Sequence, residues 1–550
     1  MINFLVEISR EKDTQIVPVR TNRIKNFQIF EIDIRVPDEN SYWVTAFGGN
    51  MDNYRGNDLE LYYDGHYLQH VNLESLTSIE YSMHNDNGII LVNIPLQYWF
   101  YNTPETSYRE LEMFTSSVIN PSEPSNIQLG LDIAQTRLQL PSFTVKLSDN
   151  FNGVSLNQGF SVNLMNNDGY FDDDDYWILF NTPLSLKKST VDVPTYNDFK
   201  RIRSGLIDSV FTSFDGYQIN VADKFNSLDN PVCKIIESNA FAGLTVDDST
   251  VGKSLPLLYG YGWVKLMKID DAHYCAAEKI TTLYKLIDKD GNEIDVTGRL
   301  SNNVITVPTD SKPDSAYIRG HSTDKMGDII IDLMTRANLP YYSTYWDINE
   351  TDGYKNSSSR VNFLITSGSI KKAIQDLLAN DMAYLLQKPD DRFTIRKYGE
   401  TYGTHRVSPK MITKPPEKDY SKSQENYFSS CVIEYAPNNS ANMSSEPSFL
   451  LFNGNEYEAK KKYKRNVQQS FKTNLRYEND VRNFGKLLSD RYSFLKQKIK
   501  LPIGIDASQM ELLDTVVIDL SVNGRRFSNK TKYIITEINP AQDILTLEEF

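Results

Sequence analysis

The stretches FSVNLMNNDGYFDD (Phe160–Asp173) and RIRSGLIDSVFTSFDGYQINVADKF (Arg201–Phe225) decide the fold class. In both, apolar and polar residues alternate, which puts one face of an extended chain inward and the other outward. Both alternations meet an Asp-Gly pair. Glycine tolerates positive φ, so Asp-Gly between alternating runs is a strong short-range hairpin signal. Residues 130–245 therefore read as β structure.

The same reading extends in both directions. Upstream, Phe27–Val36 alternates at period two, and Ser41–Thr45 is rich in aromatic and β-branched residues. Gly88–Phe100 reads as a buried strand pair broken at Pro95. The Ser, Pro and Asn content of Ser116–Asn126 marks a linker. Downstream, VGKSLPLLYGYGWV (Val251–Val264) precedes LYKLIDKDGNEIDVTG, a further Asp-Gly hairpin.

The first helix is expected at Asp324–Asn338. Met326, Ile329, Ile330, Leu333, Met334 and Ala337 fall on one face, Thr323 or Asp324 can cap the start, and Pro340 stops it. A second, Ser369–Asn380, leads into a hairpin turning at Pro389–Asp391. A third runs from Asn479 to about Lys496. The end returns to strands: KIKLPIGID, LLDTVVIDLSV, KYIITEINP and ILTLEEF.

A chain of 550 residues exceeds one core, since cores stop growing at roughly 250–300 residues. The division expected is 1–128 (β), 129–245 (β-barrel), 246–320 (β-rich connector), 321–424 (α+β) and 425–550 (a second barrel with one helix). The fold class is thus mainly β with an α+β insert: two barrel-like domains flank a mixed α/β middle, after an N-terminal β domain. Aromatics at 12%, with 33 Tyr and 26 Phe, agree with strands.

The net charge of −14 opposes duplex-DNA reading, which needs surplus Lys and Arg. It suits solubility, and equally a wall that repels passing phosphate. Three distant cysteines (Cys233, Cys275, Cys431) form neither a disulfide framework nor a zinc pattern, and imply a reducing compartment. The start, MINFLVEISREKD, lacks the features of a secretory signal. No run approaches the ~18 apolar residues of a membrane span.

No catalytic set stands out. His66 and His70 lack the Glu of a zinc-protease motif, so a surface pair is the plainer reading. Asp172–Asp175 resembles a calcium loop only superficially, because Leu164 stands five before Gly169; a solvated turn fits better. GYGW (Gly260–Trp263) lacks the Lys-Ser/Thr ending of a phosphate loop and suits a tight turn with Trp263 packed on it. The one basic cluster is Lys460, Lys461, Lys462, Lys464 and Arg465. It is the candidate for contact with passing DNA or an acidic neighbour, against a solvated loop. No cofactor is expected.

Four segments, in order over about residues 140–550, together resemble the hub proteins of tailed-phage baseplates and tail tips: contractile-tail central hubs, lambda-type tip proteins and gene-transfer-agent hubs. Phe160–Asp173, with Asn166, Asp168, Gly169 and Phe171, resembles the hairpin of that family's first barrel, continued at Gly205. Val251–Val264, with Gly252, Pro256, Tyr259 and Gly260, resembles its G-x-x-I-P-x-x-Y-G segment. The helices and hairpin of 325–395 resemble its middle domain. ENYFSSCVIEYAP and the segments around LPIGID and Asp514 resemble the return barrel.

There are two departures. Leu513 stands where the family carries Gly before Asp514, and about 130 residues precede the first barrel. The resemblance implies a virion-located, non-enzymatic homotrimer that closes the tail tube and adapts six-fold tube to three-fold tip. It implies partners among tail tube, distal tail, spike and tape-measure proteins, with DNA passing through the lumen unread and no membrane span. The alternative is a tail-associated protein that binds glycans or hydrolyses cell wall.

Overall fold

In the computed structural model, residues 224–419, 426–436 and 447–504 are described without a break. Separate stretches are described between 3 and 222 and between 507 and 549. The chain divides into two compact units, Ile8–Glu112 and the remainder. The architecture is mainly β, with few helices and several sheets.

The smaller unit contains a sheet ordered Val17–Val19, Ile32–Arg35, Ser41–Phe47, Ile89–Pro95, Tyr81–His84, and a hairpin of Asp58–Tyr63 with His66–Asn72. The first half of the pair expected at Gly88–Phe100 is the strand Ile89–Pro95; residues 96–100 lie outside the described residues.

The other unit starts with an eight-stranded sheet. Its order is Asn126–Leu129, Asp132–Gln135, Arg109–Thr115, Asn3–Glu11, Pro183–Ser189, Lys200–Thr212, Gly216–Ala222, Phe160–Met165. Phe160–Met165 pairs with Gly216–Ala222; the chain just beyond its own turn, with Asp172–Asp175, lies outside the described residues. Gly205 permits the close approach of neighbouring strands, because a Cβ there would sit 2.1 Å from the Ala222 carbonyl oxygen.

The closing sheet runs Thr404–Val407, Thr515–Ile518, Lys532–Asn539, Ile544–Glu549, Lys498–Pro502, Glu417–Asp419. Val145–Lys146 pairs with the free end of Lys532–Asn539. Among the described residues neither sheet closes, which corrects the expected barrels. Closure needs the two edge strands to meet. Here Phe160–Met165 ends one edge, while Asn3–Glu11 and the strands of 109–135 extend the other.

Between these sheets lie a β-rich segment and five described helices: α1 (Met326–Arg336), α2 (Ile348–Ser357), α3 (Ile370–Ala379), α4 (Glu456–Tyr463) and α5 (Glu478–Tyr492). α1 buries Met326, Ile329, Ile330, Leu333 and Met334 completely, as its periodicity requires. Neither Thr323 nor Asp324 caps it. The Ser358 hydroxyl and Ser359 carbonyl accept the N–H groups of Gly327 and Met326, and Asp324 instead pairs with Arg360 and Arg476. Ser369 caps α3 by accepting from the Lys372 N–H. α5 ends at Tyr492, short of the expected Lys496. One core runs from Leu147 and Leu228 through α1, α3 and the hairpin Ala383–Gln387/Phe393–Lys397 to α5 and the closing sheet.

Charge fastens the eight-stranded sheet to the closing one. Lys188 is 1% exposed; its Nζ donates to Asp543 Oδ1 at 2.6 Å and to the Pro540 carbonyl at 2.8 Å. Beside it, Arg201 donates to Asp391 at 3.1 Å. An uncompensated buried charge is costlier than a lost pair. Lys188→Met should therefore lower unfolding free energy by about 3–5 kcal/mol, and adding Asp543→Asn should recover part of it. Denaturant titration of the three chains measures this; a second substitution that only deepens the loss contradicts it.

Candidate functional site

Most of the sequence-selected residues sit at three turns and at the end of one helix, while Gly205 lies within the strand Lys200–Thr212. The first turn follows Phe160–Met165. Asn166, 1% exposed, accepts the Phe171 N–H on Oδ1 at 2.8 Å and the Gly169 N–H on its carbonyl at 3.1 Å. Gly169 takes φ +70°, as the Asp-Gly reading requires. Asp168 forms a two-bond ion pair with Arg137, at 2.7 and 2.6 Å. Arg137 also reaches the Met165 carbonyl. Phe171 is fully buried and stacks on Tyr217 with centroids 4.3 Å apart. Asn166, Asp168 and Phe171 therefore lock a loop to the sheet.

The second turn holds Pro256, Tyr259 and Gly260; Gly252, at φ +82°, precedes it in open space. Gly260 takes φ +78°, and a Cβ there would meet Asn362 Oδ1 at 2.6 Å. Trp263 packs against Tyr317, with centroids 5.5 Å apart. Tyr259, fully buried, donates to Asp332 at 2.5 Å. Arg336 bridges Asp332 (3.1 Å) and Glu278 (2.8 Å). Burial, then the Asp332 carboxylate, pushes the Tyr259 hydroxyl far above its ordinary range, so it stays a neutral donor.

The third turn holds Asp514, 4% exposed. Its Oδ1 accepts from Arg396 Nη1 (3.1 Å) and the Gly403 N–H (3.0 Å); Oδ2 accepts the Glu511 N–H (3.0 Å) and faces His405 Nε2 at 2.7 Å. Arg396 is 2% exposed. It also donates to the Leu512 carbonyl at 2.7 Å, to both Glu350 oxygens at 3.0 and 2.8 Å, and to Glu511. Lys388 adds contacts to Asp347 (2.8 Å), Glu511 (3.4 Å) and Glu350 (3.5 Å). A cavity of about 50 Å³ adjoins this network, lined among others by Val145, Arg203, Gln387, Glu511 and Pro540. It has room for water.

Asp514 was thus visible in sequence, but its partners were not. Arg396, Glu350, Glu511 and Lys388 look like ordinary surface charges in a chain that is 24% charged. In FTIRK, period-two alternation sets Thr394 and Arg396 on the face opposite Phe393 and Ile395, so Arg396 reads as a solvent-side residue until its burial is known.

The basic cluster occupies the end of α4, not the loop expected: Lys460–Tyr463 are helical and Lys464 ends the helix at φ +56°. Three lysines, Lys460, Lys461 and Lys462, in the helix's last turn suit its negative pole. His66 and His70 lie on the strand His66–Asn72.

Among the described residues no group of three or more His, Cys, Asp or Glu is placed to hold a metal ion, and no helix is long and apolar enough to cross a membrane. The three cysteines are buried and unpaired in disulfides. Burial pushes the Cys275 and Cys431 thiols up to about 12, so both stay protonated and unreactive.

No protein-family model matches the chain, and no curated protein does. Among solved structures, it is similar to a 43 kDa tail protein of prophage MuSo2 from Shewanella oneidensis: TM-score 0.40, 9% identity, 78% of this chain and 98% of that one. It is similar to a chain in the virion of a native gene transfer agent particle: 0.40, 11%, covering 58% and 87%. It is also similar to prophage tail protein gp18 from Listeria monocytogenes EGD-e: 0.38, 9%, covering 77% and 93%.

Leu513 is buried at φ +69°, the region that favours glycine. Leu513→Ala loses the buried side chain and keeps the strain; Leu513→Gly loses the side chain and relieves it. Glycine should therefore be the milder change by about 1 kcal/mol, the reverse of the usual order. Paired denaturation curves decide; alanine as the milder change contradicts it.

Glu350 and Glu511 share Arg396 yet shift oppositely. Burial opposes ionisation of Glu350, but Arg396 and Lys388 outweigh it and hold the carboxyl below its ordinary range. At Glu511 burial dominates and holds it above. Glu350 thus contributes stability present above the unfolded glutamate range and lost as pH falls. Glu511 contributes stability present below that range and lost as pH rises through its folded value. Glu350→Gln should lower Tm most near neutral pH, while Glu511→Gln should relieve the decline there. Tm measured against pH tests this, and equal losses at neutral pH would count against it.

Proposed function

We propose that the chain is the structural hub of a phage-type tail. It closes the tail tube at the baseplate or tip as a homotrimer, contacts tube, spike and tape-measure proteins, and acts through protein contacts rather than catalysis. In the assembled particle two β blocks per chain give six similar walls around a three-fold axis, and DNA passes through the opening. The chain then resides in the virion.

One observation carries this reading. The short motifs that resemble the hub family are spent on tertiary locks: Asp168 accepts from Arg137, Asn166 holds the Phe171 N–H, the Tyr261 N–H after Gly260 donates to Asn362, and Asp514 accepts from Arg396. Motif residues that hold joints suit a scaffold whose product is shape. The acidic balance of −14 adds to it, because a wall that repels phosphate lets DNA slide.

Mass measurement of the purified chain, followed by negative-stain imaging, tests the proposal. The expected result is a three-fold ring with a central opening. A stable monomer that hydrolyses cell wall would overturn it.

A further inference from the structure

Residues 448–472 oppose the charge of the rest of the chain. They hold five Lys and one Arg against two Glu, a surplus of four positive charges, in a chain of net −14; the remainder therefore carries −18. The segment folds as the strand Ser448–Phe452, helix α4, and the strand Gln468–Lys472. Both strands flank Ser430–Tyr435, the first antiparallel and the second parallel. Each is a sheet edge, with no second partner strand among the described residues.

The edge strand Ser448–Phe452 carries apolar side chains on its outer face. Phe449 is 60% exposed and Leu451 54%. The register sets Leu451 beside Val432, and Phe449 beside Glu434. In the next turn of chain Tyr457 is 74% exposed, Lys461 follows at i+4 on the same helix face, opposite the buried Ala459, and exposed Lys464 caps the helix end. Single exposed apolar residues are ordinary. Three within nine residues, beside an open strand edge and a cationic helix end, form a docking surface.

We infer that this surface takes an acidic, strand-forming segment of another protein. The segment adds along Ser448–Phe452, lays apolar side chains on Phe449 and Leu451, and brings carboxylates to Lys461, Lys462, Lys464 and Arg465. Charge selects this occupant. Two copies of the chain paired edge to edge here would bring two cationic segments together. A nucleic acid cannot use the strand edge, and the −18 on the remainder repels its phosphates. The inference goes beyond the trimeric reading and does not depend on it.

The test measures fluorescence anisotropy of a labelled peptide of alternating Glu and Val titrated with the intact chain. Controls are the Lys–Val counterpart, an oligothymidylate and phosphatidylserine vesicles. The acidic peptide should bind, more weakly at high salt. Binding should fall about tenfold or more with Phe449→Ser plus Leu451→Ser, and again with Lys461→Glu plus Lys464→Glu. These four side chains are exposed, so Tm should hold and report an intact fold. Failure of the acidic peptide to bind, equal binding of its Lys counterpart, or a preference for oligonucleotide or vesicle overturns the inference. None of these results bears on whether the chain forms a ring.

Discussion

A guanidinium taken wholly out of water must be surrounded by oxygen, and the middle of this molecule is organised by that requirement. Arg396 sits on the strand Phe393–Lys397, behind buried Phe393, Thr394 and Ile395. It cannot reach solvent, so it collects Glu350 from α2, Glu511 and Asp514 from the turn before Thr515–Ile518, and the Leu512 carbonyl. The partners come from two elements, α2 and that turn, and Arg396 itself from the hairpin. Satisfying one cation therefore fixes the helix, the hairpin and the entry to the closing sheet relative to one another.

The same logic recurs at smaller scale. Arg137 ties the 166–171 turn to its sheet, Lys188 ties that sheet to Asp543, and Arg336 ties α1 to Glu278. Apolar burial supplies the cohesion, as the continuous core through α1, α3, α5 and the closing sheet shows. It is non-directional, however, and does not choose among near-equivalent packings. The buried charges add direction: each lock accepts one arrangement and makes the others costly. For a protein proposed to work by shape, that division of labour is the useful one.

Local features were readable from sequence where short-range chemistry decides them. α1 and α3 followed from 3.6-residue periodicity, and the Pro389–Asp391 and Asp290–Gly291 turns from their residue types. Gly260 takes the positive φ of a tight turn. α2 was missed, because INETDGYKNS has no apolar stripe. It is held by the Asp347 cap, buried Tyr354 and the Glu350–Arg396 pair. α4 was missed for a similar reason: a Lys-rich run reads as loop until its one buried residue, Ala459, is placed.

Long-range pairing was not readable. Alternation says that a segment is a strand but not which strand it meets, so neither the union of Val145–Lys146 with Glu537–Ile538 nor the open ends of both sheets could be foreseen. Among the candidate residues, sequence singled out those with special backbone needs. It passed over Arg396, Glu350 and Glu511, whose roles arise only from burial.

Hydrogen exchange followed by mass spectrometry on the intact chain, comparing it with Arg396→Met, tests the organising role of this guanidinium most directly. Exchange should rise together in 347–358, 393–407 and 510–518, while α1 keeps its protection. A rise confined to the strand Phe393–Lys397 would mean that the three elements hold their places without it.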